Sequence, residues 1–240
     1  MSGVAVVTGA AGGIGSATVR QLRADGMTVV ALDLNGEAAA ALSPESYLLD
    51  VTDADAVADV MAQVLERHGR VDVLVNNAGI TGSDEATTAH ETPVDEFDRV
   101  MAVNVRGPFL CSRALLPSMV AAGSGHIITI ASAAGIVAFP GRFAYTTSKG
   151  AALQLARSIA IDYGHLGIRS NSICPGMVET PMTQWRLDQP ELRARIEAQI
   201  PLGRVATADE IADVVSVLAS GRLAYANGAP LVIDGGWISR

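Results

Sequence analysis

The chain has 240 residues, room for one large α/β domain or two small ones, and 49% of them are hydrophobic while only 4% are aromatic. A core made mainly of Ala, Val, Ile and Leu suits β-strands buried on both faces. With 17 Lys and Arg against 25 Asp and Glu, the formal net charge of −8 argues against nucleic acid as a partner, because phosphate binding needs clustered cations.

Short apolar runs bounded by glycine alternate with helical patterns along the whole chain. Residues 4–7 read as the first strand, followed by Thr8-Gly9-Ala10-Ala11-Gly12-Gly13-Ile14-Gly15 and an amphipathic helix over 14–24. A glycine-rich turn between strand and helix lets backbone approach a pyrophosphate, with the unpaired N–H groups of the helix start facing the anion. On glycines alone, a plain strand-to-helix turn is an equal reading. Residues 28–32 form the second strand, and Asp33 at its end lies about twenty residues beyond the glycine loop, where a carboxylate accepts hydrogen bonds from a ribose and repels a 2′-phosphate. The loop has no Arg or Lys to compensate such a phosphate, so NAD is the expected cofactor. The bland alternative for Asp33 is a cap on the following helix.

Residues 47–49 and 71–75 read as the third and fourth strands, with a helix over 54–68 between them. A second helical pattern covers 94–105 and continues toward 120. The fifth strand spans 127–131 and delivers Ser132 to the carboxyl edge of the sheet, where ligands bind in open α/β folds. On the helix predicted over 144–163, Tyr145 and Lys149 stand one turn apart and share a face. A phenol ionises near pH ~10, so its use as a base at neutral pH requires stabilisation of the phenolate, and a neighbouring ammonium favours that form. Strands over 168–173 and 231–233 and a helix over 209–219 complete the alternation. The pattern predicts a Rossmann-like, doubly wound sheet of seven mostly parallel strands with helices on both faces, in one domain spanning 1–240.

These residues together resemble the short-chain dehydrogenase/reductase family over nearly the whole length. Thr8-Gly9 with Gly13-Ile14-Gly15 is similar to the family's cofactor loop, and Asp50-Val51 to the acidic pair facing the adenine. Asn76-Asn77-Ala78-Gly79 resembles the signature after the fourth strand, and Pro175-Gly176 through Val178, Thr180 and Pro181 the segment beside the nicotinamide. Asn104, Ser132, Tyr145 and Lys149 match the catalytic tetrad. The resemblance implies hydride transfer between NAD and a secondary alcohol or ketone. Tyr145 is then the general acid/base, Ser132 the group holding the substrate oxygen, Lys149 a ligand of the nicotinamide ribose, and Asn104 the holder of a relay water. Taken singly, Tyr145, Lys149 and Ser132 also read as an ordinary aromatic, a solvated lysine and a capping hydroxyl.

Substrate contacts are expected from the loops after strands four, five and six, residues 80–92, 133–143 and 177–201, the last forming a lid. Phe139, Met182 and Trp185 offer apolar walls with Ile136 and Val137, and Arg142 and Arg186 offer cations for an anionic substituent, although solvated arginines are the plainer reading. An NADPH-dependent carbonyl or 3-oxoacyl-carrier-protein reductase is the nearest alternative, and a non-catalytic NAD-binding regulator the alternative of another class.

Cys111 and Cys174 lie far apart, no signal peptide precedes the first apolar run, and no apolar stretch reaches a membrane span, so a cytoplasmic setting without membrane partners is expected. The four histidines form no ligand cluster, and no metal is expected. By analogy a homotetramer is expected, with Ala151, Ala152, Leu155, Ala156 and Ile159 as one contact face and the turn after the last strand as another. Gly221 and Asn227 depart from the family pattern and put local capping in question there.

Overall fold

A computed structural model describes residues 3–239. Met1 and Ser2, expected as the short lead into the first strand, lie outside the described residues. In chain order the elements are β1 (Val4–Thr8), α1 (Gly13–Ala24), β2 (Thr28–Asp33), α2 (Gly36–Leu42), β3 (Glu45–Leu48), α3 (Ala54–His68), β4 (Val73–Asn76), α4 (Val94–Met101), a π-helical turn (Ala102–Arg106) and α5 (Gly107–Ala122). There follow β5 (Gly125–Ile130), a 3-10 turn (Ala133–Gly135), α6 (Phe143–Tyr163), β6 (Ile168–Pro175), β7 (Val178–Glu179), α7 (Pro181–Leu187), α8 (Pro190–Glu197), β8 (Ala206–Thr207), α9 (Ala208–Ala219) and β9 (Pro230–Ile233).

Seven strands form one sheet in the order β3-β2-β1-β4-β5-β6-β9, and every pairing is parallel. Parallel strands covered on both sides need side chains that are apolar in both directions. The strand sequences supply them: Val6 pairs with Val30 and Leu74 in register, Val75 with Ile128, and Ile130 with Ile173. On one face Val6, Val30, Leu74 and Ile127 pack under α3, α5 and α6 through Val60, Leu115 and Ile159. On the other, Val7, Val29, Val75 and Ile128 pack under α1 and α9 through Leu22, Ile211 and Val215. The chain runs outward from β1 to β3 and then returns to β4, so the crevice beyond the carboxyl ends of β1 and β4 lies at the point where strand order reverses.

The third strand comprises 45–48 instead of 47–49. Leu49 has already turned out of the sheet while its N–H donates to the Asp33 carbonyl at 2.9 Å. The fourth begins at Val73, because Asp72 accepts the Val4 N–H at 2.8 Å with its side chain and brackets the strand start. Helix α2 and the two-stranded pair β7-β8 were not apparent from apolar spacing: α2 is a short alanine run that buries only Ala39, and β7 and β8 have two residues each.

The contact face expected on α6 is partly covered within the chain, with Ala151 and Leu155 half-buried. Ala152, Ala156 and Ile159 are buried within the chain against its own sheet, leaving Gln154, Arg157, Ser158 and Ile161 outward. Local structure around Gly221 and Asn227 is well satisfied. Gly221 takes a φ of 75°, and the Asn227 side chain accepts the Ser170 N–H at 2.9 Å while donating to the Ala160 carbonyl at 3.0 Å.

Candidate functional site

The first wall of the site is the glycine loop between β1 and α1. Gly9 adopts a φ of 61°, and a Cβ there would fall 2.8 Å from the Ala78 Cα. At Gly15 a Cβ would fall 2.0 Å from the Gly9 carbonyl oxygen, a separation no side chain tolerates. The loop is held from below by Thr8, whose hydroxyl accepts the N–H groups of Asn77 and Ala78 at 3.0 and 3.1 Å. Asn77 returns the contact, its amide donating to the carbonyls of Thr8 and Gly9 at 3.0 and 2.9 Å. β1 and β4 are thereby pinned together at the switch point.

Above this loop opens a cleft of about 500 Å³. Gly9, Gly13, Ile14, Asp33, Asp50, Val51, Asn77, Ala78, Gly79, Pro175, Gly176, Val178 and Thr180 line it, together with Ser132, Tyr145 and Lys149. Gly15 sits behind the lining, where it permits the loop to close. Gly13 meets Thr180 directly, since a Cβ on Gly13 would lie 2.6 Å from the threonine Cγ2. Asp33 Oδ2 accepts the Ala11 N–H at 2.9 Å and Oδ1 accepts the Asn35 N–H at 2.8 Å. The cap of α2 is Asn35, which accepts the Ala38 N–H, so capping is not the task of Asp33. At Asp50, Oδ1 is occupied by the N–H and hydroxyl of Thr52, both at 2.8 Å. A side-chain-free loop at a helix start, an acid at the end of the second strand and a long cleft across the switch point form a cradle that fits a dinucleotide.

At the other end of the cleft α6 crosses the end of β5. Ser132, in extended conformation, caps the 3-10 turn by accepting the Ala134 N–H at 3.1 Å, and it lines the same end of the cleft as Tyr145. Gly135 lets this turn lie against α6: a Cβ there would be 2.6 Å from the Lys149 carbonyl oxygen. Lys149 is 6% exposed and donates from Nζ to the Ile130 carbonyl at 2.9 Å. That ammonium stands 5.7 Å from the centre of the Tyr145 ring.

Burial pulls the Lys149 pKa down to about 8, with Cys174 opposing slightly. Burial also pushes the Tyr145 phenol above its ordinary value, against the lowering effects of the Ser132 hydrogen bond and the Arg142 charge. In the chain by itself desolvation prevails at Tyr145, and Arg142 at the start of α6 adds a cationic influence.

Asn104 lies in the π-helical turn and is 1% exposed. Its amide donates to the Ile80 carbonyl at 2.8 Å and the Ser148 hydroxyl at 2.9 Å, while its oxygen accepts the Ile80 N–H at 2.8 Å. The loop after β4 is thus tied to α6. The Asn104 oxygen and Lys149 Nζ converge on one spot, each 3.3 Å from where a Cβ on Gly79 would sit.

Of the side chains expected at the substrate, Met182 lines the cleft, whereas Phe139, Arg142 and Trp185 are absent from its lining. Phe139 packs instead on Trp237 with ring centres 4.8 Å apart, and Trp185 is half exposed beneath the Arg186 guanidinium at 4.7 Å. Several lining residues had not been singled out, among them Gly12, Leu34, Ile80, Val103 and Thr183. Leu34 carried a usable signal, an apolar side chain immediately after the acid that ends β2, and it is 68% exposed. Among the described residues no group of three His, Cys, Asp or Glu is placed to hold a metal ion, and no helix is long and apolar enough to cross a membrane.

Residues 9–238 match a protein-family model described as Enoyl-(Acyl carrier protein) reductase. The chain is 53% identical to 2-(R)-hydroxypropyl-CoM dehydrogenase of Xanthobacter autotrophicus, with 99% of each chain covered. It is 36% identical to a 3-oxoacyl-[acyl-carrier-protein] reductase of Thermotoga maritima, covering 98% of this chain and 97% of the relative. Among solved structures, that of gox2181 superposes with a TM-score of 0.95 at 32% identity, covering 100% of this chain and 96% of the other. Both relatives' names describe interconversion of a hydroxyl-bearing carbon and a ketone. On this similarity and the dinucleotide cradle, the chain belongs to the short-chain dehydrogenase/reductase family, as an oxidoreductase that uses a nicotinamide cofactor on a secondary alcohol or ketone.

Proposed function

We propose that the chain is an NAD-linked dehydrogenase of a short secondary alcohol, with Tyr145 exchanging the proton of the substrate oxygen. The observation that carries this reading is the placing of Tyr145 and Ser132 together in the lining of a glycine-rich cleft, with a buried Lys149 one helical turn from the phenol. The bound cofactor would supply the hydride acceptor for the alcohol carbon. Ser132 donates to the substrate oxygen and orients it toward Tyr145. Tyr145 removes the hydroxyl proton during oxidation and returns it during reduction. Lys149, released from Ile130 or shared with it, holds the cofactor ribose and favours the phenolate. Asn104 keeps Ile80 and Ser148 in place around that ammonium and has an acceptor lone pair to spare for a relay water.

Asp33 supports NAD over NADP. No arginine lines the cleft among the described residues, and its one lysine, Lys149, lies at the opposite end, so a 2′-phosphate near Asp33 would meet only negative charge. Like-charge juxtaposition of this kind costs several kcal/mol, so kcat/KM with NAD is expected to exceed that with NADP by about 100-fold or more. Steady-state rates with the two cofactors test this, and equal or faster turnover with NADP would show the role given to Asp33 to be wrong.

For the substrate, a secondary alcohol such as 2-(R)-hydroxypropyl-CoM is favoured, supported by the Xanthobacter autotrophicus relative at 53% identity. A 3-oxoacyl thioester is the second reading, supported by the Thermotoga maritima relative. Asp33 speaks against the NADPH such reductases ordinarily use. We further infer one catalytic domain with residues 177–201 as a lid, a cytoplasmic location and a homotetramer.

A further inference from the structure

The turn that follows β9 reaches three parts of the site. Asp234 accepts the N–H groups of Gly236 and Ile238, both at 2.8 Å, and Gly235 and Gly236 take φ values of 65° and 88°, so the chain doubles back tightly there. A Cβ on Gly176, beside the cofactor cleft, would fall 2.8 Å from the Asp234 Cβ. On Gly235 a Cβ would fall 2.7 Å from Ile200 Cγ2, and the Leu202 N–H donates to the Gly235 carbonyl at 3.2 Å. This compact turn presents Trp237 between two segments that are remote in sequence.

On one side the indole meets Phe139, with centres 4.8 Å apart and planes inclined by 33°. Phe139 anchors its loop: Ile136, Val137, Ala138 and Pro140 around it are exposed, whereas Phe139 is half-buried. That loop joins Ser132 to Arg142 and so connects the two sides of the catalytic set. On the other side Trp237 packs on the apolar cluster of Leu187, Ile196, Ile200 and Val205, which holds α7 and α8 together, and its Nε1 donates to Gln199 at 3.4 Å. Met182, which lines the cleft, is carried by α7.

From this geometry we propose that Trp237 is a positioning residue for the substrate, acting through Phe139 and the α7–α8 segment to fix the gap between the two walls of the substrate mouth. The proposal rests on the functional reading above, because it assigns the substrate to the Ser132–Tyr145 end of the cleft. A side chain in contact with both walls prevents each from relaxing independently. Its loss would loosen binding of the substrate and leave the cofactor cradle, built from β1, β2 and β4, as it was.

The test compares the wild type with Trp237→Ala, Trp237→Phe and Phe139→Ala in two measurements on the whole chain. Backbone hydrogen exchange is followed with NADH bound, and oxidation of 2-(R)-hydroxypropyl-CoM is followed by NADH formation. In Trp237→Ala, exchange is expected to rise in both 136–142 and 187–200. The KM for the alcohol should rise about tenfold, as loss of a packed aromatic contact predicts, with kcat and NADH affinity within about twofold of wild type. Trp237→Phe should restore most of the loss. Faster exchange in only one segment or in neither would overturn the proposal, as would NADH affinity falling in step with the alcohol KM. If the wild type does not oxidise this alcohol, the substrate reading is at fault and the exchange pattern decides the role of Trp237. If Trp237→Ala fails to fold, Trp237→Phe and Phe139→Ala are combined: non-additive exchange rates support the bridge, and additive rates refute it.

Discussion

Tyr145 and Lys149 illustrate what spacing encodes and what it leaves out. Their four-residue interval places both on one face of α6, but spacing carries no information on solvation, and burial moves both groups toward their neutral forms. Gly15 is tightly constrained in identity, because the clash a methyl group would make is with backbone that cannot yield without opening the loop. Gly15→Ala is therefore expected to lower NADH affinity by at least about tenfold and to destabilise the fold by roughly 1–3 kcal/mol, checked by fluorescence titration and urea unfolding. The glycine loop, Asp33 and the tetrad residue types were legible because each depends on local order along the chain. Phe139 was not, because its partner is chosen by folding: it packs on Trp237, ninety-eight positions on in the sequence.

Helices α4 and α5 form one continuous helical run interrupted by the π turn over Ala102–Arg106, and Asn104 projects from that interruption. An inserted π turn re-aims side chains that regular winding would direct elsewhere, and such turns recur at functional sites. Apolar periodicity predicted the run but not the turn, since a five-residue π turn is too short to carry a period of its own. Asn104→Ala would leave both the N–H and the carbonyl of the partly buried Ile80 without their side-chain partner. The expected cost is about 2–4 kcal/mol, with kcat falling more than cofactor affinity, because the loop after β4 loses its tie to α6. Urea unfolding and steady-state kinetics together check this, and a variant with wild-type stability would show these bonds to be dispensable. Within 177–201 the charged helical stretch was legible, but the division into α7 and α8 and the β7-β8 pair were not, as two-residue strands carry no periodic signal.

The parallel sheet and its switch point follow from strand-helix alternation, and they bring residues from the first, middle and last thirds of the chain to one crevice. The opposite edge of the sheet carries a pH dependence. His126 is buried on β5, where its Nδ1–H donates to the Leu218 carbonyl at 3.1 Å and its Nε2 accepts from the Asn171 amide at 2.9 Å. Burial and the nearby Arg169 hold its pKa down at about 3. Above the ordinary histidine value near ~6.5 the ring is neutral in folded and unfolded chains alike. As pH falls below that value only the unfolded chain takes up the proton, so stability is lost progressively toward about pH 3. Between pH 7 and 5 the wild type should lose about 2 kcal/mol more than His126→Gln in urea unfolding. Parallel profiles for the two would contradict this assignment. The account as a whole turns on Tyr145, and Tyr145→Phe tests it most directly, with NADH affinity measured beside the rate of NADH formation from 2-(R)-hydroxypropyl-CoM and a panel of secondary alcohols. The expected result is unchanged NADH binding with turnover reduced by about 100-fold or more; full turnover by the phenylalanine variant would contradict the mechanism.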